Sequence, residues 1–275
     1  MPTKNTLRAC VSIFHIRLAE GFQYRTAALS GTIVGVFWGL VEVLIFTIFY
    51  TYGSNYTNNA GITLSQVISY AWLNQVLFGI QPMSVDSDIL QKITSGDVGV
   101  ELCRPLDLYS HWFAKTMASR LTPFLFRGGL TMIVAFLMPV GWRLSPPASV
   151  AGLALFLLSL CSAIMLCSAY GMLVNAIRVN ITWGEGPTYM ILFVGGVLSG
   201  GYFPLQLWPA FMQRFLLLQP FAGYMDIPVR LYIGSMPISD AGWALALQWG
   251  WALSFIIVGK WVLRRKCERI IIQGG

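Results

Sequence analysis

Twenty-one consecutive residues, Gly31 to Thr51 (GTIVGVFWGLVEVLIFTIFYT), hold a single charged side chain, Glu42. A helix needs about 20 apolar residues to cross the hydrocarbon core of a bilayer. Inside lipid no water satisfies the backbone N–H and C=O groups, so a run of this kind has to be helical. Further apolar runs follow at about 62–81, 121–141, 149–176, 187–203 and 241–262. Only 11% of the residues are charged, less than half the share in an ordinary soluble domain. Most of the surface therefore faces something other than water. The chain reads as one all-α transmembrane domain over residues 1–275 with six spans, and no repeat, linker or sizeable soluble domain stands out.

The charges decide the orientation. The net charge is +7, which could mean a nucleic-acid partner or a membrane address. The Lys and Arg residues cluster beside the apolar runs instead of forming one continuous basic face, so they are topology signals and nucleic-acid binding is excluded. With the N-terminus inside, fifteen of the 18 Lys and Arg residues fall on the cytosolic side and three (Arg143, Arg214, Arg230) on the outer side. That bias predicts six spans in a cell (inner) membrane with both termini cytoplasmic. Residues 204–237 then lie outside. Pro204, Pro209, Pro220 and Pro228 break this apolar stretch, so it is expected to form short pieces of a re-entrant helical hairpin that packs on protein. At the other end, residues 5–24 place Leu7, Val11, Phe14 and Leu18 at helical spacing, with Arg8 and Arg17 elsewhere on the wheel. They read as an interfacial helix on the membrane surface, the alternative being a helix docked on the protein.

Catalytic patterns are missing. There is no G-x-x-x-x-G-K-[ST] phosphate loop, no G-x-S-x-G and no H-E-x-x-H. The two histidines, His15 and His111, have no partner at ligand spacing, and no metal site is expected. The five cysteines, Cys10, Cys103, Cys161, Cys167 and Cys267, form neither a disulfide framework nor a metal pattern. Uphill transport by such a chain would draw on an ion gradient or on another subunit.

Glu42 is the group an ion gradient would use, because an ionisable side chain at bilayer depth is costly and tends to mark function. It sits roughly 16 Å into its span, close to the midplane. Asn74 and Gln75 reach a similar depth from the opposite side and can meet it. Two readings stand: a substrate or proton site, or a hydrogen-bonded packing residue. Arg127 is close enough to the cytosolic interface to snorkel out. On the cytosolic side, Ser84 to Trp112 carries Asp86 and Asp88 at the start of a short helical pattern, Lys92 near its end and Gly96 as a stop. A helix of about eight residues held between two spans suits insertion into a cleft on a partner, and an ordinary loop helix fits the pattern as well.

Two stretches carry a family resemblance. Ile93-Thr-Ser-Gly96-Asp97 through Leu102-Cys-Arg104-Pro105-Leu106 is one. The other is Leu198-Ser-Gly200-Gly201-Tyr-Phe203-Pro204-Leu205, followed by Trp208-Pro209, Gln219-Pro220-Phe221, Pro228 and Gly234. Together with the span arrangement they resemble the type-2 ABC exporter permeases, in the branch that pairs two short permeases with one ATPase. The resemblance implies a non-catalytic subunit that binds no cofactor itself, with ATP and Mg on the partner. Two ABC ATPase subunits and a second permease, the same or a homologous chain, would complete the assembly. The helix at about 86–95 would be the coupling helix, with Asp86, Asp88, Leu90, Ile93, Gly96, Asp97 and Arg104 as coupling residues, and the N-terminal helix would touch the ATPase as well. Spans one, two and five would line the pathway, which puts Glu42, Asn74 and Gln75 on or near it. Gly200, Gly201, Phe203 and Pro204 would belong to an outer gate. Glu42 has no counterpart in the family pattern.

The resulting expectation is a permease subunit of an ATP-driven exporter. The alternative is an ion-coupled secondary transporter or channel that works alone through Glu42, and a membrane anchor for another enzyme is a third reading. A pathway of aromatic and amide side chains suits an apolar or amphipathic cargo; a toxin, a peptide, a lipid-linked glycan and a drug all fit that description.

Overall fold

The computed structural model describes residues 4–23, 25–52, 61–82, 87–95, 97–102, 107–179 and 186–268. The regular elements among them are helical: α1 (Lys4–Gln23), α2 (Arg25–Tyr52), α3 (Leu64–Leu77), α4 (Ser87–Ser95), α5 (Val98–Leu102), α6 (Leu108–Leu137), α7 (Val150–Arg178), α8 (Gly186–Leu198), α9 (Ala210–Leu218), α10 (Asp226–Ile233) and α11 (Ile238–Cys267). Among the described residues four helices are long and apolar enough to cross a membrane: Thr26–Tyr52 within α2, then α6, α7 and α11.

The expected second and fifth spans are present as shorter helices, α3 and α8. At about 1.5 Å per residue, α3 is only about 21 Å long. Its length answers to protein, not to lipid, because Val67 to Leu77 are all buried. A capping box starts it: Thr63 Oγ1 accepts from the Gln66 N–H at 3.3 Å, and Gln66 Oε1 accepts from the Thr63 N–H at 2.9 Å. The other helices gather round this post. Trp72, fully buried, donates its indole N–H to the Trp142 carbonyl at 2.6 Å. On α2 a stripe at helical spacing (Thr32, Gly35, Gly39, Val43, Phe46) is buried, while Ile33, Phe37, Ile45 and Ile48 point outward. Gly39 is a necessity there, since a β-carbon would lie 2.8 Å from the Trp72 ring.

The pair α7 and α11 forms the second half of the bundle. Buried Gln248 on α11 exchanges hydrogen bonds with Ser159 on α7, its Nε2 donating to Ser159 Oγ at 2.9 Å and its Oε1 accepting from it at 3.1 Å. Polar groups of this kind hold helices together where lipid supplies no hydrophobic drive.

The third membrane helix differs from the expected span at about 121–141. It begins at Leu108, capped by Asp107, which accepts from the Ser110 N–H at 2.9 Å. Its first half carries His111, Lys115 and Arg120, which hide the helix from a search for apolar runs, yet all three are buried. Pro123 lacks an N–H donor, and the next turn, Phe124–Gly128, is a π turn. The α1 helix packs along this first half, with Phe22 edge-on to Phe126 at 4.5 Å. The docked alternative thus describes its contacts, although Val11 and Ile16 remain exposed.

Residues 204–237 fold as the prolines dictate. Pro204 precedes a 3-10 turn (Leu205–Leu207), Pro209 precedes α9, and Pro220 opens a second 3-10 turn (Pro220–Tyr224). Pro228 falls in the first turn of α10, where no N–H is needed.

Candidate functional site

The bundle holds two polar constellations. The first is built on the predicted coupling segment. It holds the expected short helix as α4, followed by the five-residue α5. Asp88, in the first turn of α4, reaches three cations: Arg17 of α1 in close contact, Lys115 of α6 at 2.6 Å, and Lys92 at 3.8 Å. Lys92 turns to Glu101 of α5, which also accepts from the Trp112 indole N–H at 2.5 Å and lies 3.9 Å from His111 Nε2. One continuous ionic cluster therefore joins α1, α4, α5 and α6. Beneath it Ile89, Val98 and Trp112 are buried against Met172, Ala176 and Val179 at the end of α7 and Leu263 of α11.

The electrostatics follow from this geometry. Burial works against the Asp88 carboxylate, but Lys115, then Lys92 and Arg17, outweigh it and hold the group below its usual range. Burial likewise opposes charge on Glu101, and the bonds from Lys92 and Trp112 reverse the sign, so this carboxyl too is held low. Lys92 answers in the other direction, raised by Glu101 against the penalty of burial.

Asp97, exposed, accepts from the Ser95 hydroxyl at 2.7 Å, and its carbonyl accepts from the Glu101 N–H at 3.3 Å. Asp86, Gly96 and Arg104 lie outside the described residues, as do the side chains of Leu90 and Ile93.

The second constellation joins the predicted pathway residues to the predicted outer gate. Gln75 Nε2 donates to Glu42 Oε1 at 2.9 Å, so the acid and the amide meet. Asn74, one residue before, donates to the Gly201 carbonyl. One turn earlier on α3, the Tyr70 hydroxyl lies 3.1 Å from both the Gly200 carbonyl and Asp226 Oδ1. Asp226 is fully buried, accepts from the Leu205 N–H at 3.4 Å, and pairs with Arg230 at 3.5 Å. Gly200 has φ +86, a left-handed conformation, and a β-carbon there would fall against the Tyr70 hydroxyl. Pro204 is buried behind the turn, whereas Phe203 is exposed and stands 6.1 Å from the Phe46 ring.

Tyr70 and Asp226 escaped the sequence reading. A signal existed for Asp226: it is the one acidic residue between 204 and 237, with Arg230 one helical turn on. Tyr70 gave none, being one aromatic among many in an apolar run.

No curated protein and no solved structure matches the chain. A family described as ABC-2 family transporter protein matches residues 36–274, from within α2 past the end of α11. With that match over most of its length and four helices fit to cross a bilayer, the chain belongs to the ABC-2 family of transporter membrane proteins.

Proposed function

We propose that this chain is the permease subunit of an ATP-driven exporter, forming half of a translocation pathway and drawing its driving force from a separate ATPase through residues 84–112. The observation that carries the reading is the ionic cluster around Asp88. An ordinary loop helix has no need of salt bridges to two other helices, whereas a helix that passes on force does. With Asp88 bound to Arg17 and Lys115, a push on α4 moves α1 and α6 as one body. The exposed side of the segment, with Ser95 and Asp97, is left for the ATPase cleft. Two ATPase subunits carrying ATP and Mg, and a second permease of the same or a homologous chain, complete the proposed assembly in the cell membrane, with both termini cytoplasmic.

In this reading α2, α3 and α8 border the pathway. The Glu42–Gln75 pair sits on the partly exposed flank of α2, where a carboxyl group facing lipid would be costly. A water-lined pathway or a second permease is the environment that suits it. Tyr70 and Asn74, on the same helix as Gln75, hold the Gly200–Gly201 turn, so movement of α3 reaches the outer gate directly.

The test is co-expression with an ATPase that carries a phosphate loop, whose gene this reading expects beside that of the chain. The wild-type chain should copurify with it and support ATP-dependent efflux. Asp97→Arg should insert normally but lose the ATPase or its stimulated turnover. Normal ATPase stimulation by Asp97→Arg would remove the coupling assignment. Transport by the purified chain alone, driven by a proton or sodium gradient and abolished by Glu42→Gln, would establish the ion-coupled alternative instead.

A further inference from the structure

We propose that the groove between α1, α6 and α11 is a binding site for an anionic phospholipid of the cytoplasmic leaflet, its acyl chain in the groove and its phosphate on Lys260. The inference uses the membrane orientation argued above but not the ATPase partnership. The groove encloses about 430 Å³, within the range of about 300–1,000 Å³ typical of small-molecule sites. Its wall is almost wholly apolar, with Val11 and Phe14 from α1, Phe113 and Met117 from α6, and Ile256 from α11.

The order of these residues gives the groove a polarity. Lys260 lies one turn closer to the cytosolic end of α11 than Ile256, and Met117 lies two turns deeper along α6 than Tyr109. A charged mouth at the interface thus leads to an apolar floor nearer the bilayer centre, the shape of one headgroup followed by one chain. The mouth has the right sign. Lys260 Nζ stands 5.5 Å over the Tyr109 ring and is exposed, and no carboxylate among the described residues pairs with it. Asp107, at the N-cap of α6, keeps its charge but turns it to the Ser110 N–H and hydroxyl at 2.9 and 2.5 Å.

An acyl chain gains little by leaving the bilayer for a groove of equal polarity, since lipid tails are as apolar as the groove lining. Headgroup charge therefore decides occupancy. One basic side chain at an anionic surface contributes about a fivefold preference, equivalent to about 1 kcal/mol.

Native mass spectrometry of the full-length chain, released from nanodiscs of equal phosphatidylglycerol and phosphatidylcholine, tests this. The expected result is about a fivefold excess of retained phosphatidylglycerol. Lys260→Gln should bring the ratio to near one, while Arg265→Gln, whose guanidinium lies 4.2 Å over Trp261, should leave it unchanged. Photo-crosslinking with a diazirine in the acyl chain should modify peptides containing Met117 or Ile256. Equal retention of the two lipids by the wild-type chain overturns the proposal. So does an unchanged preference in Lys260→Gln, crosslinks confined to other helices, or displacement of the lipid by inorganic phosphate.

Discussion

At the level of single residues, the buried Asp226 is the most demanding group outside the ionic cluster. Its carboxylate accepts from Tyr70 and from the Leu205 N–H and faces Arg230. Removing one member of a buried pair strands the other. Asp226→Ala is therefore expected to cost about 3 kcal/mol, and Tyr70→Phe, which deletes one hydrogen bond, about 1 kcal/mol. Thermal unfolding in detergent should rank the two in that order, and equal midpoints would show the network to be slack. Gly200→Ala forces a β-carbon into a left-handed backbone and against the Tyr70 hydroxyl. The backbone conformation alone costs about 1–2 kcal/mol, so its midpoint should fall below that of Tyr70→Phe. Glu42 and Gln75 were legible as a pair because depth in a span can be counted from either end. Asp226 was harder to find, since its burial depends on contacts with a helix more than 150 positions away.

Among the elements, the coupling segment was the most readable in outline and the least in detail. Acidic first turn, basic last turn and a glycine stop predicted α4 to within a residue or two. Lys92 is one helical turn from Asp88 and could be paired with it from the sequence, but Arg17 and Lys115 were invisible as partners, because only the docking of α1 on α6 brings them to it. The pH dependence of this docking has a definite sign. Asp88 and Glu101 are carboxyls held low in the folded protein, so their contribution is fully present above the ordinary carboxylate range near pH ~4. It is lost as pH falls through their lowered values. Hydrogen exchange of residues 87–102, corrected for intrinsic rates, should stay flat from neutrality to about pH 5 and rise steeply below about pH 4. Asp88→Ala should raise it at neutral pH, and adding Lys115→Met to that variant should change little more, because the two side chains act on one interaction. Additive effects would mean that they hold different contacts.

For the molecule as a whole, the count of apolar runs and the inside bias of Lys and Arg gave the class at once, because lipid admits so few backbone solutions. They gave lengths less well. The α3 helix is wrapped in protein and needs no bilayer-matched length, and α6 begins among charges that a hydropathy window reads as loop. Cysteine labelling in intact cells tests the resulting orientation. Ser95→Cys, on the coupling segment, should react only with membrane-permeant reagent, and Ser239→Cys, at the start of α11, with impermeant reagent too. The reverse pattern would invert the topology and with it the proposed coupling.

The wide turn at Phe124–Gly128 has a mechanical consequence for such a molecule. One extra residue in a turn rotates everything beyond it by about 100° relative to a continuous helix. The inner stretch of α6 is clamped to charged neighbours, while beyond the wide turn Thr131 and Ala135 are presented to the bundle. Gly128, within the wide turn, lies so close to α3 that a β-carbon would stand 2.6 Å from the Val76 carbonyl, so any twist of α6 at this turn presses directly on α3.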